Sequence, residues 1–384
     1  QRYRRKILPT GYPEALGIVS EEQVVEGLPR GYSLALNRAL LQLNNLGAWP
    51  ERIVAWPWSR GTPIDRPIFI VGAFRSGTTV LEQTLAGHPA VGVFAFVTNV
   101  AYLAPIAGFN LIRLMSRCGL VEGRRMPYLY NPRLEFTPFS PFECEWVWAQ
   151  AGKSLWDSGC SDLTTGAGFA NPRFERMVRS SIRRHLLVQG ARRFLNKNPI
   201  HLLRLEYLLK LFPDARFVYI VRNPVATVLS HYRMVQRIAA VIHPHPDARE
   251  AVERGLHLDV LTPRIKTMRY AETLAWEEIH PLLGIAHQWR IMHETALASL
   301  EANDALAGQT LRITYEALNA EPGCILSAVW RFVGLDDATA EAITKQAVSY
   351  LKAPPPAAPT SEEARWLPVV KELVAPAAER LGYA

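Results

Sequence analysis

PIFIVGAFRSGTTVLEQTLAGHP, residues 67–89, puts an apolar run, a glycine-bearing turn and a helical pattern in direct succession. IFIVGA has the composition of a buried strand, and TTVLEQTLA carries apolar positions at helical spacing ahead of a glycine stop. A strand that delivers the chain into such a turn leaves free backbone N–H groups beside the positive end of a helix dipole. That is an anion site, worth about 1 kcal/mol or more per charge when partly buried. Ser76, Thr78 and Thr79 add hydroxyl donors, and Gly77 lets the backbone approach an oxygen atom closely. The stretch predicts a phosphate cradle.

Nucleotide-hydrolysing loops of this layout read GxxxxGK[ST], with the lysine on the terminal phosphates and the hydroxyl on Mg²⁺. Gly72 and Gly77 keep that spacing here, but Thr78 stands in the lysine position and the cation of the turn is Arg75. Such enzymes also place a metal-holding acid at the end of an apolar strand. The second patterned unit, RRFLNKNPIHLLRLEYLLKLFPDARFVYIVRNPVATVLSHYRM (192–234), has no acid in that place. It reads as strand RFLN, turn KNP, helix 200–212, strand RFVYIV, turn RNP and helix 225–237. RFVYIV ends on Arg222, which can hold a second phosphate but not a magnesium ion. A loop and a strand end built in this way suit a donor with two separate phosphate groups and no metal. 3′-Phosphoadenosine-5′-phosphosulfate is such a donor.

The remaining chain fits this scheme. Strands that alternate with helices predict an α/β fold, a P-loop-like parallel sheet of about five strands flanked by helices. SLALNRALLQLNNLG (33–47) has helical spacing, so residues 1–65 are expected to form a helical N-terminal extension. The α/β domain is expected over 66–345, and KAPPPAAPTSEE opens a Pro/Ala-rich closing segment, 346–384, ending in a short helix. LRITYEAL (311–318) reads as a further strand, GCILSAVWRFVGL as an amphipathic helix, and Arg173–Gly190 as a long one. The segment 90–140 is apolar and interrupted by Pro and Gly, and the Trp-rich ECEWVWAQAGKSLW that follows reads as a helix.

The formal net charge of +8 points to an anionic partner, and no basic–aromatic motif of a nucleic-acid reader occurs. Four cysteines without CxxC or metal-ligand spacing fit reduced thiols in a cytoplasmic protein. No run reaches the roughly 18 uninterrupted apolar residues of a membrane span. QRYRRKILPTG lacks the apolar stretch of a secretory signal, and the first residue is glutamine, so the natural N-terminus is expected upstream.

IFIVGAFRSGTTVLEQTLAGHP resembles the 5′-phosphosulfate loop of the sulfotransferases, hhhGxPRSGTTLL…HP, with Phe74 in place of the usual proline. FPDARFVYIVRNPVATVLSHY resembles their 3′-phosphate segment, in which the arginine and serine stand eight residues apart, as Arg222 and Ser230 do. KNPIHLLRL, SPFECE and LRITYEAL are similar to three further stretches of the family, so the resemblance covers about residues 66–335. It is nearest to the broad bacterial group related to the tyrosylprotein and heparan enzymes. The resemblance implies a sulfuryl transfer from 3′-phosphoadenosine-5′-phosphosulfate, without a metal, to a hydroxyl of a small-molecule, lipid or sugar acceptor. It implies that Gly72, Arg75, Ser76, Gly77, Thr78 and Thr79 hold the 5′ end, Arg222 and Ser230 the 3′-phosphate, and Tyr315 the nucleotide. Arg75 and Lys197 would then act on the charge of the transferred and leaving groups.

The general base is the open point. Many members carry a glutamate soon after HP, whereas no acid occurs here between Glu82 and Glu122. Glu143 and His201 are the leading candidates, with Glu145 beside the first; His88 reads as a helix-stop residue and Glu82 as solvent-facing or structural. Phe94, Phe96, Tyr102, Phe109, Tyr128, Tyr130, Trp146 and Trp148 are divided between core and an acceptor pocket for a bulky or lipophilic hydroxyl compound. Two other readings stay open at this level: a kinase-like phosphotransferase with a variant loop, and a nucleotide-binding relative that has lost its base.

Overall fold

IFIV forms β1 (Ile68–Val71), the central strand of a five-stranded parallel sheet, and none of its side chains reaches solvent. The computed structural model of the chain describes residues 48–51, 53–55, 57–101, 104–118, 126–128, 131–144, 147–148, 166–242, 271–351 and 357–383. Around β1 lie β2 (Val91–Val93), β5 (Arg193–Lys197), β6 (Arg216–Val221) and β7 (Thr310–Thr314), in the spatial order β2-β5-β1-β6-β7. A separate antiparallel pair joins β3 (Met126–Tyr128) to β4 (Asn131–Phe136).

Helices cover both faces of the sheet, which is why β1 and most of β6 read as apolar runs. Alternation along the strands sends Ile68, Ile70, Val218 and Ile220 to one face. There they meet α1 (Thr78–Ala86), α7 (Pro322–Val333) and α8 (Ala338–Tyr350). Phe69, Val71, Phe217, Tyr219 and Val221 turn to the other face. That face is covered by α3 (Pro172–Gln189), α4 (Leu205–Leu211), α6 (Pro281–Ala302) and α9 (Ser361–Leu381). Two more helices bear on function: α2 (Pro105–Arg117), and α5 (Pro224–Ile242), which directly follows β6. All five sheet strands point the same way, so the turn after β1, Lys197, Arg222 and Tyr315 gather at one C-terminal edge, where open α/β sheets bind ligands.

Several expectations need correction. β2 lies inside the segment read only as apolar and interrupted; it is three residues long and centred on Gly92. A Cβ at Gly92 would come within 2.9 Å of Leu186 Cδ2 and 3.0 Å of Ala191 Cβ, so α3 packs closely over this edge strand. The helix expected over 200–212 is two pieces. Asn198 caps a 3₁₀ turn, Pro199–Leu203, by accepting from the Ile200 N–H, and α4 begins only after Arg204 leaves helical geometry. The closing helix is not short: α9 runs 21 residues through Pro368 and Pro376, started by a Thr360/Glu363 capping box. Its Val370, Leu373, Val374 and Ala377 belong to the core, which compensates for two prolines that signal a break. Residues 1–47 and most of ECEWVWAQAGKSLW lie outside the described residues; the described residues of 48–61 are helical.

Three histidines are locked into this core in neutral form. His185 meets Thr98 and the Ser181 carbonyl, His231 stacks on Phe74, and His293 stacks on Tyr219. Burial lowers each from 6.5 to about 3, and Arg75 adds to the effect at His231. The unfolded chain therefore binds protons that the folded chain refuses as the pH falls from 6.5 towards 3. Stability is complete above that window and drains through it, by about 1.4 kcal/mol per histidine per pH unit. The urea midpoint is accordingly expected to fall steeply below about pH 6; a midpoint that stays flat to about pH 4 would exclude the effect.

Candidate active site

The turn after β1 is held in a conformation its sequence does not favour. Gly77 has φ 97°, which suits glycine, but Arg75 also sits in the left-handed region at φ 70°. Arg75 is secured at both ends. Its Nε donates to Ser230 Oγ at 3.1 Å, and its carbonyl accepts from Arg222 Nη1 at 3.0 Å. Ser76 Oγ donates back to the Ala73 carbonyl at 2.7 Å, closing the turn. There is no room for side chains at the two glycines. A Cβ on Gly72 would lie 2.4 Å from the Ile220 carbonyl oxygen, and one on Gly77 would lie 2.4 Å from Tyr315 Cδ2. Thr78 is buried and Thr79 half-buried at the start of α1, whose N-terminal N–H groups face this turn without a side-chain cap.

Tyr315 ends the strand and begins a helix, Tyr315–Ala320, with its ring against Gly77. The Arg222 guanidinium lies 4.5 Å from the centroid of that ring. Asn223 N donates to Glu316 Oε1 at 2.9 Å, which pins the RNP turn to the same helix. Gly72, Arg75–Thr79, Arg222, Ser230 and Tyr315 thus form one cluster, although they come from four separate stretches of chain. Phe74, the odd residue of the turn, stacks on His231 of α5 at 4.8 Å and packs the turn onto that helix.

The cation at the end of β5 is not a surface lysine. Lys197 is 2% exposed, and its Nζ lies 2.5 Å from Glu143 Oε1 and 3.9 Å from Glu82 Oε2. Glu82 Oε1 also accepts from the Lys197 backbone N–H at 3.2 Å. Glu82 is therefore buried and structural, and the solvent-facing alternative falls away. Of the two carboxylates on Lys197, the Glu143 side chain keeps 17% exposure and the Glu82 side chain 2%. The first can reach a ligand; the second cannot.

A model described as the sulfotransferase family matches residues 67–105 and 163–256, the blocks that supply the turn, Lys197, Arg222 and Ser230. Over these two blocks the chain is similar to the sulfotransferase family. Two curated relatives are similar to it: omega-hydroxy-beta-dihydromenaquinone-9 sulfotransferase Stf3 of Mycobacterium bovis and the same enzyme of Mycobacterium tuberculosis. Each is 26% identical over 204 residues, which are 47% of this chain and 47% of the relative. The chain thus matches about half the length of these relatives. Its fold is similar to that of sulfotransferase STF9 from Mycobacterium avium, with a TM-score of 0.58 and 15% identity over 96% of this chain and 98% of that one.

Within this sulfotransferase fold, the two leading candidates for the base are placed very differently. His201 is fully buried beneath the sheet, edge-on to Trp148 and Phe69. Asn196 Oδ1 accepts from Trp148 Nε1 at 2.9 Å, so the same oxygen must also accept from His201 Nε2 at 2.9 Å. The proton therefore sits on Nε2, and Nδ1 points into the interior with no hydrogen-bond partner. Burial holds His201 well below its usual value, with Arg204 pushing the same way, so it stays a neutral core residue closed to solvent. Glu145 lies outside the described residues. His88 accepts from the Ala90 N–H through Nδ1, so Nε2 donates to Asp337 at 3.1 Å; it fixes the α1–β2 turn to the start of α8.

Asn196 is a site residue that motif reading missed. Besides orienting Trp148 and His201, its Nδ2 donates to the Glu143 carbonyl at 3.3 Å, tying the glutamate's segment to β5. The available signal was a polar side chain in the middle of a buried strand. Among the aromatics, Phe94, Phe109 and Trp148 are core, and Phe96 stays half-buried, edge-on to Phe142. Tyr102, Tyr130 and Trp146 lie outside the described residues, as does the side chain of Tyr128.

Proposed function

We propose that the chain transfers a sulfuryl group from 3′-phosphoadenosine-5′-phosphosulfate to a hydroxyl of a lipophilic small molecule, glycolipid or carbohydrate. The observation that carries this reading is the Lys197–Glu143 pair beside a basic, glycine-cradled turn. The donor set fits the donor. Arg75 and the N–H groups of the turn answer the 5′-phosphosulfate, and Arg222 with Ser230 answers the 3′-phosphate. Arg222 also occupies the strand end where a metal-holding acid would stand, which supports transfer without a metal.

In the proposed reaction the acceptor oxygen attacks sulfur and the bond from sulfur to the 5′-phosphate oxygen breaks. Glu143 takes the acceptor proton. The bonding electrons stay on the phosphate oxygen of 3′,5′-adenosine bisphosphate, where Lys197 neutralises the charge. Glu82 is a second carboxylate beside the Lys197 Nζ, so Glu143 can part from Lys197 without leaving it unpaired. A hydroxylated lipid is favoured as acceptor, because the curated relatives are named for an omega-hydroxylated dihydromenaquinone.

Labelled-sulfate transfer over lipid, sugar and phenol panels tests the activity. Glu143→Gln is expected to lower kcat by about 10²–10⁴-fold while leaving the Kd for 3′,5′-adenosine bisphosphate within about twofold. If transfer by Glu143→Gln matches wild type, the base lies elsewhere. If no panel member is sulfated by wild type although the bisphosphate binds, the reading reduces to donor binding.

A further inference from the structure

The helix over residues 48–61 is amphipathic in the wrong sense for a water-facing element. Its described inward positions are Ala48, Glu51, Ala55 and Ser59, all nearly closed to solvent, whereas Trp49, Ile53, Val54 and Trp58 are 70%, 68%, 67% and 63% exposed. A soluble surface helix does the reverse, burying its large apolar residues. The orientation is not accidental, because a buried ion pair sets it. Glu51 Oε1 accepts from Arg184 Nη1 of α3 at 3.0 Å, and Oε2 accepts from the Ala107 N–H in the first turn of α2 at 2.8 Å. Turning the tryptophans inward would leave Arg184, 1% exposed, without its carboxylate, at a cost of several kcal/mol.

The neighbouring elements extend the same surface. Leu111 and Leu114 of α2 are 56% and 58% exposed, and Leu187 near the end of α3 is 37% exposed. Arg113 joins these two helices by donating to the Val188 carbonyl at 3.0 Å. Charge on this face has one sign. Arg60, Arg113 and Arg117 are exposed, α2 carries no acid, and the one carboxylate among the described residues of the 48–61 helix is the inward Glu51. Tryptophans and aliphatic side chains rimmed by arginines match the boundary of an anionic bilayer, where indoles sit at headgroup depth and guanidiniums meet lipid phosphate. Among the described residues no helix is long and apolar enough to cross a membrane, so such a contact lies on the surface.

We infer that the helix over 48–61 and α2 together form a docking face for an anionic lipid surface. Phe109, on the buried side of α2, packs 5.6 Å from Phe139, in the segment that leads to Glu143.

The test is vesicle flotation of the full chain, which needs neither donor nor acceptor. Wild type is expected to float with mixed phosphatidylglycerol–phosphatidylcholine vesicles, to float poorly with phosphatidylcholine alone, and to lose binding as salt is raised. Trp49→Ser combined with Trp58→Ser is expected to cut the bound fraction at least about tenfold, with the Kd for 3′,5′-adenosine bisphosphate and the melting temperature unchanged. Absence of flotation with anionic vesicles overturns the inference, as does equal flotation of the double variant. A wild-type dimer in light scattering that the double variant disperses would assign the face to a second copy and overturn it too.

Discussion

Lys197→Met is expected to lower kcat by about 10²–10³-fold and, separately, to destabilise the fold by about 3–5 kcal/mol. The two effects have different causes. Catalysis loses the cation proposed to meet the leaving phosphate, whereas the fold loses the ammonium that compensates Glu82, whose side chain is 2% exposed. Adding Glu82→Gln separates them. The double variant keeps an amide that can still accept from the Lys197-position N–H, as Glu82 Oε1 does now at 3.2 Å, but it buries no unmatched charge. Most of the lost stability is therefore expected to return while kcat stays low. Urea denaturation and single-turnover transfer measure the two arms. A Lys197→Met protein as stable as wild type would refute the counter-ion role, and a double variant with near-wild-type kcat would refute the catalytic one.

The second large effect is expected at Arg222. Its guanidinium donates to the Arg75 carbonyl, lies over the Tyr315 ring, and has been assigned the 3′-phosphate of the donor. Arg222→Ala is expected to weaken 3′,5′-adenosine bisphosphate by at least about 100-fold, about 2.7 kcal/mol, because it removes a phosphate contact and releases a strained turn together. Arg222→Lys is expected to rescue little. A lysine supplies the charge but not the planar fork that reaches a carbonyl and a phosphate at once. Ser230→Ala should cost less, since it removes one hydroxyl that accepts from Arg75 Nε. Calorimetric titration with the bisphosphate ranks the three variants; an Arg222→Ala affinity within threefold of wild type would remove Arg222 from the donor site.

Local pattern carried the sheet and its edge. β1 and β6 are legible as apolar runs, and β5 and β7, RFLNK and TLRIT, by the Pro or helix-start signals that follow them. β2 was not legible: three residues around a glycine carry no period, and the strand is defined by its parallel pairing with β5, about a hundred residues on. α9 was misjudged as short for a similar reason, since its prolines signal a break that packing of Val370, Val374 and Ala377 overrides. At the site, Arg75, Lys197 and Arg222 stood out as cations at strand ends. Burial, however, is a property of neighbours distant in sequence. Nothing in RFLNKNP says that Lys197 is enclosed, or that His201 faces Trp148 and not a cleft.

The sequence by itself determined the class of fold, the glycine-bearing turn after β1 and the positions of the nearby arginines, because glycine placement, helix starts and apolar runs act over a few residues. Only the tertiary structure decided which groups meet. It brought Glu82, Glu143 and Lys197 together from three stretches of chain, tied Arg75 to both Ser230 and Arg222, and sealed His201 in the core. The reason is physical. Charge state, desolvation and hydrogen-bond geometry depend on atoms a few ångströms away in space, and for the contacts of Lys197 with Glu82 and Glu143 and of Arg75 with Ser230 and Arg222 those atoms lie between 54 and 155 positions away along the chain.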